Sequence, residues 1–152
     1  MTSNQLVGVT IAEIKSRTTI LGVKMAKAAD FEKGWRLGYL KKDYSLIKTM
    51  LHPDYRCFDY RMGMEIDFEA EKSLMETISP FLTLGPWKLL YENDEVYVIS
   101  VFSKYYESQP RYIATMATAK LIGSKIYRHE IVREVLDYDP AENQDWSWED
   151  YE

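Results

Sequence analysis

Few residues in this chain are suited to chemistry, and most familiar site patterns are missing. Cys57 is the single cysteine, which excludes an internal disulfide framework and a multi-cysteine zinc site. His52 and His129 are the two histidines, too few for a metal cluster of the usual kind. No glycine-rich phosphate loop and no Gly-x-Ser-x-Gly elbow is present. We therefore expect neither a metal ion nor a bound cofactor.

Two polar residues fall within predicted strands. Asp59 lies near the end of the segment from Tyr55 to Tyr60, and strand alternation puts it on the same face as Tyr55 and Cys57. His129 is the only histidine in a strand, whereas His52 precedes Pro53 and is expected to end a helix. A carboxylate and an imidazole held together form an acid/base pair, in which one group takes a proton while the other returns it.

Helical spacing dominates the first half of the chain. Residues 1–28 carry apolar side chains at three- or four-residue multiples, which predicts an amphipathic N-terminal helix. Phe31, Trp35 and Tyr39 recur every four residues and predict a helix over 30–42 with three rings on one stripe. A short helix should follow Asp43 as its N-cap, and another should follow Asp67 and end at Pro80, with a small hairpin between them.

The period changes to two after Pro86. Segments 87–92, 95–106, 111–122 and 125–138 are rich in β-branched and aromatic residues and are separated by turn residues, which predicts four consecutive antiparallel strands. The two central segments carry apolar residues on both faces. One face can pack on the helices, and we expect a second copy of the protein to cover the other.

The charge distribution disfavours several partners. The chain has 152 residues and a net charge of −5, and residues 137–152 hold seven acidic residues with no Lys or Arg. The remainder contains no basic cluster able to follow a phosphate backbone, so nucleic-acid binding is not expected. No stretch has the length of a membrane span or the pattern of a secretory signal, so we expect a cytoplasmic protein with no membrane partner.

The order of predicted elements resembles the nuclear transport factor 2-like superfamily, which includes ketosteroid isomerases and SnoaL-like polyketide cyclases. The run from Asp43 to Asp54 is similar to that family's second helix and the Pro-Asp before its first strand, and the run from Gly123 to His129 is similar to its final turn and strand. The resemblance implies an α+β fold over residues 29–138, in which a curved antiparallel sheet forms a cone with three helices packed on its concave side.

The resemblance also implies a function. A small, mostly apolar molecule would bind in the cone, with cofactor-free acid/base catalysis of the isomerase, dehydratase or cyclase type. Asp59 matches the position of the general-base aspartate of ketosteroid isomerase-like members, and His129 would assist it from the last strand. Burial in an apolar cone would raise the pKa of Asp59 toward the range needed to move a proton from carbon. The alternatives are an exposed Asp59 paired with Arg56, Arg61 or a helix end, and a His129 on the surface or at the dimer interface. The protein would then be a non-catalytic ligand-binding or assembly domain.

The pocket lining is predicted from helix and sheet residues together. The family's isomerases use a tyrosine of the first helix in their oxyanion hole, but that position is Trp35 here, and Tyr39 one turn later is the substitute. The expected lining residues are Trp35, Tyr39, Tyr55, Cys57, Trp87, Phe102 and Met116. The alternative is that these residues are simply core.

Residues 139–152 form an acidic segment with three aromatic residues. Such a composition either stays disordered or docks its rings on this subunit or on another. The chain therefore divides into an N-terminal helical extension at 1–28, the main domain at 29–138 and this C-terminal tail, with a homodimer expected through the outer sheet face.

Overall fold

The computed structural model describes residues 27–152, and the predicted N-terminal helix lies outside this range apart from its last two positions. The described part contains three helices, six strands and two short 3-10 turns. The elements are α1 (Ala28–Lys41), α2 (Ser45–Met50), β1 (Leu51–Asp59), β2 (Met64–Ile66), α3 (Phe68–Ile78), a 3-10 turn (Ser79–Phe81), β3 (Leu82–Glu92), β4 (Val96–Tyr106), β5 (Pro110–Ile122), β6 (Lys125–Leu136) and a second 3-10 turn (Trp148–Asp150). None of the described helices is long and apolar enough to cross a bilayer.

All six strands belong to one curved, unclosed sheet in the order β2-β1-β6-β5-β4-β3. Strands β3 to β6 form the expected antiparallel meander, while β1 joins it by pairing in parallel with β6. The sheet is therefore mixed. This parallel pairing brings the first half of the chain directly against its last strand, with Cys57 opposite His129 and Asp59 opposite Ile131.

The helices lie close to their predicted positions, although Tyr44 and not Asp43 is the N-cap of α2. On α1, Phe31 and Trp35 are buried, and their ring centroids lie 4.4 Å apart. The Asp67 carboxylate accepts a hydrogen bond from the Ala70 N–H at 2.9 Å, which confirms the predicted cap of α3. The core joins these helices to the inner sheet face. Its buried members are Ala28, Phe31, Trp35, Tyr44, Ile47, Met50, Tyr55, Cys57, Met75, Tyr97, Ile99, Ala117, Ala119, Ile126 and Ile131.

The starts of β1 and β3 lie several residues before the predicted starts, because the sequence prediction treated a proline as the strand boundary in both places. Strand β1 begins at Leu51, so His52 and Pro53 lie in the strand rather than ending a helix. Strand β3 begins at Leu82 and runs through Pro86. In both places the strand register shifts, and a proline is tolerated there because no regular ladder hydrogen bond is required of it.

The C-terminal tail is ordered against the sheet. The Trp148 side chain is buried, stacks on Tyr112 at 5.8 Å and donates its indole N–H to Asp139 at 2.9 Å. Trp146 stacks on Phe102 at 6.3 Å. The tail therefore supplies the cover for one part of the outer sheet face.

Candidate functional site

A buried glutamate on α3 is the centre of the main polar network. Glu71 is 6% exposed, and its two carboxylate oxygens serve different donors. The indole N–H of Trp35 donates to Oε1 at 3.0 Å, and the hydroxyl of Tyr55 donates to Oε2 at 2.6 Å. Glu71 therefore connects α3 to α1 and β1. Burial and the negative charge of Glu71 raise the pKa of Tyr55, so its hydroxyl remains a proton donor.

His129 belongs to the same network. Its Nδ1 lies 3.2 Å from the Tyr55 hydroxyl and 3.5 Å from Glu71 Oε1, and its ring packs edge-on against Phe31 and Trp35. Within residues 27–152 its Nε2 is buried and has no hydrogen-bond partner. The imidazole is therefore fixed by its Nδ1 side, while its Nε2 is closed off from solvent.

Cys57 lies beside this network, opposite His129 across the β1–β6 pair. Burial raises the pKa of its thiol well above the usual range, and the charge of Glu71 adds to this effect, so the residue is a thiol and not a thiolate. One ligand atom from each of Cys57, Glu71 and His129 lies within 4.8 Å of the others. Both Glu71 oxygens already accept hydrogen bonds, so this arrangement fits a hydrogen-bonded network better than a metal site.

Asp59 lies on the same face of β1 as Cys57, two residues further along. It is 5% exposed and forms an ion pair with Arg133 of β6. Its Oδ1 accepts hydrogen bonds from the backbone N–H groups of Arg61 at 2.9 Å and Met62 at 3.4 Å, in the turn that follows the strand. To take a proton, this carboxylate would have to loosen its ion pair.

Asp59 and His129, the predicted acid/base pair, lie in separate networks. Among the described residues, Asp59 contacts Arg133 and the turn, whereas His129 contacts Tyr55 and Glu71. Both residues nevertheless border the same interior space. Asp59 lines one of its compartments and His129 lines the other.

The interior space has two compartments between the helices and the concave sheet face. The compartment beside α3 has a volume of about 420 Å³, and the compartment beside α1 has a volume of about 90 Å³. Six residues line both compartments and mark the boundary between them: Trp35, Tyr39, Ile78, Tyr105, Ile131 and Arg133. The walls are mainly apolar, with a few polar groups, which is typical of small-molecule pockets.

The predicted lining residues fall into three groups. Trp35, Tyr39 and Cys57 line the compartments. Tyr55 lies in the core network, and Trp87 packs against the core without lining either compartment. The remaining two residues of that set point away from the helices.

Phe102 and Met116 lie on the outer face of the sheet. Phe102 packs against Trp146 of the tail, and Met116 is 48% exposed. The physical reason is strand parity, because Val101 and Ala117 line the compartment beside α1 and their sequence neighbours must point the other way.

Two site residues were missed by the sequence prediction, although each left a signal. Glu71 lies one turn before Met75 and therefore on the buried stripe of α3. Arg133 shares strand parity with His129 and Ile131, which is the parity that faces the compartments. Neither signal identifies the contacting residue, because only the tertiary fold brings Trp35 to Glu71 and Asp59 to Arg133.

Comparison with known proteins supports the fold and goes no further. No protein-family model matches the sequence, and no curated protein matches it either. Solved structures do match. The proposed polyketide cyclase IdmH from Streptomyces antibioticus superposes with a TM-score of 0.59 at 11% identity, over 72% of this chain and 93% of that one. A nuclear transport factor 2-like protein from Burkholderia xenovorans superposes with a TM-score of 0.56 at 10% identity, over 73% and 93%.

A further match is TerC, which was co-crystallized with polyporic acid. It has a TM-score of 0.55 at 16% identity, over 69% of this chain and 91% of that chain. At these identities a shared fold does not determine a shared activity. These matches confirm the expected α+β cone fold, which the nuclear transport factor 2-like structures share.

Proposed function

We propose that this chain, which has the nuclear transport factor 2-like fold, binds a small, mostly apolar molecule between its helices and the concave face of its sheet. The observation that carries the proposal is a pair of adjoining compartments whose lining surface is mainly apolar. The larger volume, about 420 Å³, lies within the usual range for ligand pockets. TerC with polyporic acid gives an analogy on the same fold.

We also propose that the bound molecule undergoes cofactor-free proton transfer, as in an isomerase, dehydratase or cyclase. Asp59 takes a proton from a carbon next to a carbonyl group and later returns it, so the carboxylate is regenerated. Arg133 holds the carboxylate at the compartment wall. His129 acts through Glu71, because its own Nε2 is closed off while Glu71 borders the compartment beside α3.

The first test is native mass spectrometry of freshly purified protein, followed by denaturation to identify any molecule that was carried along. A stoichiometric apolar metabolite is expected. The proposal of ligand binding is wrong if the protein is empty and also fails to take up a neutral naphthalene compound.

The second test measures proton transfer without knowledge of the product. The released molecule is returned to the protein in D₂O, and deuterium incorporation at carbon is followed by mass spectrometry. Asp59→Asn should abolish the exchange. Asp54→Asn is the matched control, because Asp54 lies on the same strand with a side chain that is 82% exposed. Equal exchange in both variants would remove Asp59 from the catalytic role.

A non-catalytic ligand-binding domain is the second candidate. The observation that favours it is the complete engagement of Asp59 by Arg133 and by two backbone N–H groups. A bound molecule that shows no protein-dependent exchange in D₂O would select this candidate.

We further propose a homodimer through the outer sheet face. Met116 and Val132 are paired residues on β5 and β6, and they are 48% and 51% exposed. Apolar side chains adjacent on an exposed sheet face favour an interface. Light scattering should give twice the chain mass of 17.9 kDa. Met116→Lys should shift the protein to monomer, whereas Met62→Lys in the β1–β2 turn should not.

The cytoplasm remains the proposed location, because the sequence has neither a stretch long enough for a membrane span nor the pattern of a secretory signal.

A further inference from the structure

Tyr39 and Arg133 bring two hydrogen-bond donors to the boundary between the compartments. We infer that these two side chains bind a carboxylate of the ligand, so that the ligand is an apolar molecule with one carboxylate group. This inference rests on the proposed ligand binding and names the chemical class of the ligand.

Tyr39 supplies a hydroxyl with no hydrogen-bond partner among the described residues. Tyr44 donates to Glu76 at 3.2 Å and Tyr55 donates to Glu71. The buried Tyr97 hydroxyl also lacks a partner among residues 27–152, but Tyr97 lines neither compartment. Within residues 27–152 the hydroxyl of Tyr39 makes no hydrogen bond, yet the side chain lines both compartments. Burial raises the pKa of Tyr39, so its hydroxyl stays protonated and can donate a hydrogen bond to an acceptor atom or to a water molecule. A ligand oxygen would satisfy this otherwise unpaired donor.

Arg133 supplies charge and spare donors at the same place. It lines both compartments and its side chain is 25% exposed. Its Nη1 pairs with Asp59, but a guanidinium carries five N–H donors, and no other hydrogen bond or ion pair uses them among the described residues. Because arginine remains charged at all ordinary pH values, these donors select an anionic oxygen over a neutral one.

The other charged residues that line the compartment beside α3 are paired or lie on its exposed side, where Arg61 is an exposed residue. Arg111 pairs with Glu107 at 3.2 Å, and both side chains are about half exposed. Glu71 is occupied by Trp35 and Tyr55. Arg133 is therefore the cation best placed for a buried ligand anion.

Asp59 competes with the ligand carboxylate for the guanidinium of Arg133. Its carboxylate compensates the Arg133 charge while it also accepts two backbone hydrogen bonds. A ligand carboxylate must share the guanidinium with it. Removing the Asp59 charge should therefore strengthen anion binding, which is the opposite of what loss of a supporting residue would do.

The test compares 1-naphthoate with its neutral analogue 1-naphthamide by isothermal titration calorimetry. Wild-type protein should bind 1-naphthoate about tenfold more tightly, and Asp59→Asn should raise that preference by about a further tenfold, as expected for a charge-assisted hydrogen bond. Tyr39→Phe should weaken 1-naphthoate binding several-fold. The controls are Asp54→Asn and Tyr138→Phe, two exposed sites with no role in the compartments. The double variant Asp59→Asn/Arg133→Met removes both charges together and should bind the two compounds equally.

The outcomes distinguish failure of the acidic subsite from failure of the proposed ligand binding. Equal binding of both compounds by the wild-type protein would overturn the acidic subsite and leave ligand binding intact. Binding of neither compound would overturn both. Weaker binding of 1-naphthoate by Asp59→Asn, with 1-naphthamide unchanged, would show that Asp59 supports the anion and would refute the competition.

Discussion

Removal of the Glu71 side chain should destabilise the fold far more than removal of a neighbouring glutamate on the same helix. Glu71→Ala leaves the indole N–H of Trp35 and the hydroxyl of Tyr55 without the carboxylate that they share. An unpaired buried donor costs about 1–3 kcal/mol. Tyr55 retains His129 Nδ1 at 3.2 Å, which recovers part of the loss. We therefore expect the free energy of unfolding to fall by about 2–4 kcal/mol.

The matched control is Glu69→Ala, two residues earlier on the first turn of α3. The Glu69 side chain is 71% exposed and contacts Lys72 at 3.3 Å. A surface ion pair of this kind contributes about 0.2–1 kcal/mol. The two variants share helix, residue type and substitution, so their difference isolates the buried hydrogen bonds.

Urea denaturation monitored by circular dichroism gives the free energy of unfolding of each variant, and a thermal scan gives its melting temperature. The melting temperature of Glu71→Ala should fall by about 5–15 °C, from about 2–4 °C per kcal/mol for a chain of this size. Glu71→Gln should be intermediate, because its amide keeps one acceptor oxygen. An unfolding free energy for Glu71→Ala within about 0.5 kcal/mol of Glu69→Ala would refute the idea that the network is needed for stability.

Three further predictions concern the tail and the cysteine. Gly85→Ala would place a Cβ 2.9 Å from the Trp148 ring, so it should displace the tail, increase tryptophan quenching by acrylamide and cost about 1–3 kcal/mol. Partial burial raises the pKa of Asp139, but hydrogen bonds from Trp148 and the backbone outweigh it, so the folded pKa lies below its ordinary value. The stabilisation is therefore complete above the unfolded pKa of about 3.9 and is lost as pH falls below it; tryptophan fluorescence should report this acid step, which Asp139→Asn removes and Asp137→Asn keeps. Cys57 should not react with Ellman's reagent at pH 8 in folded protein but should react fully in urea, and rapid labelling of folded protein would contradict its burial.

The sequence predicts α1 well because its pattern is strong and local. Phe31, Trp35 and Tyr39 repeat every four residues, and such a stripe has one interpretation. The parallel pairing of β1 with β6 was not predicted, because nothing in either segment encodes which distant strand will be its neighbour. Boundaries at Pro53 and Pro86 were missed for a related reason, since a local rule treats proline as a break while the sheet accommodates it at irregular positions.

The candidate site was predicted in part. Asp59 and His129 were singled out by residue type and parity, and both border the interior space. The sequence could not assign their partners, because Arg133 and Glu71 reach them from other elements. The alternation of a strand also does not reveal which of its faces is inside, and this explains why Phe102 and Met116 were placed with Trp35 in one pocket.

The parallel pairing of β1 with β6 has a consequence for how the chain acquires its structure. Strand β1 can form its central ladder only with β6, which is separated from it by some seventy residues of intervening chain. During synthesis, the apolar face of α1 therefore has no complete sheet to pack against until nearly the whole domain has left the ribosome. A contact of such long range slows folding and leaves apolar surface exposed in the meantime. Truncations that end before Lys125 should be captured by chaperones rather than fold in part.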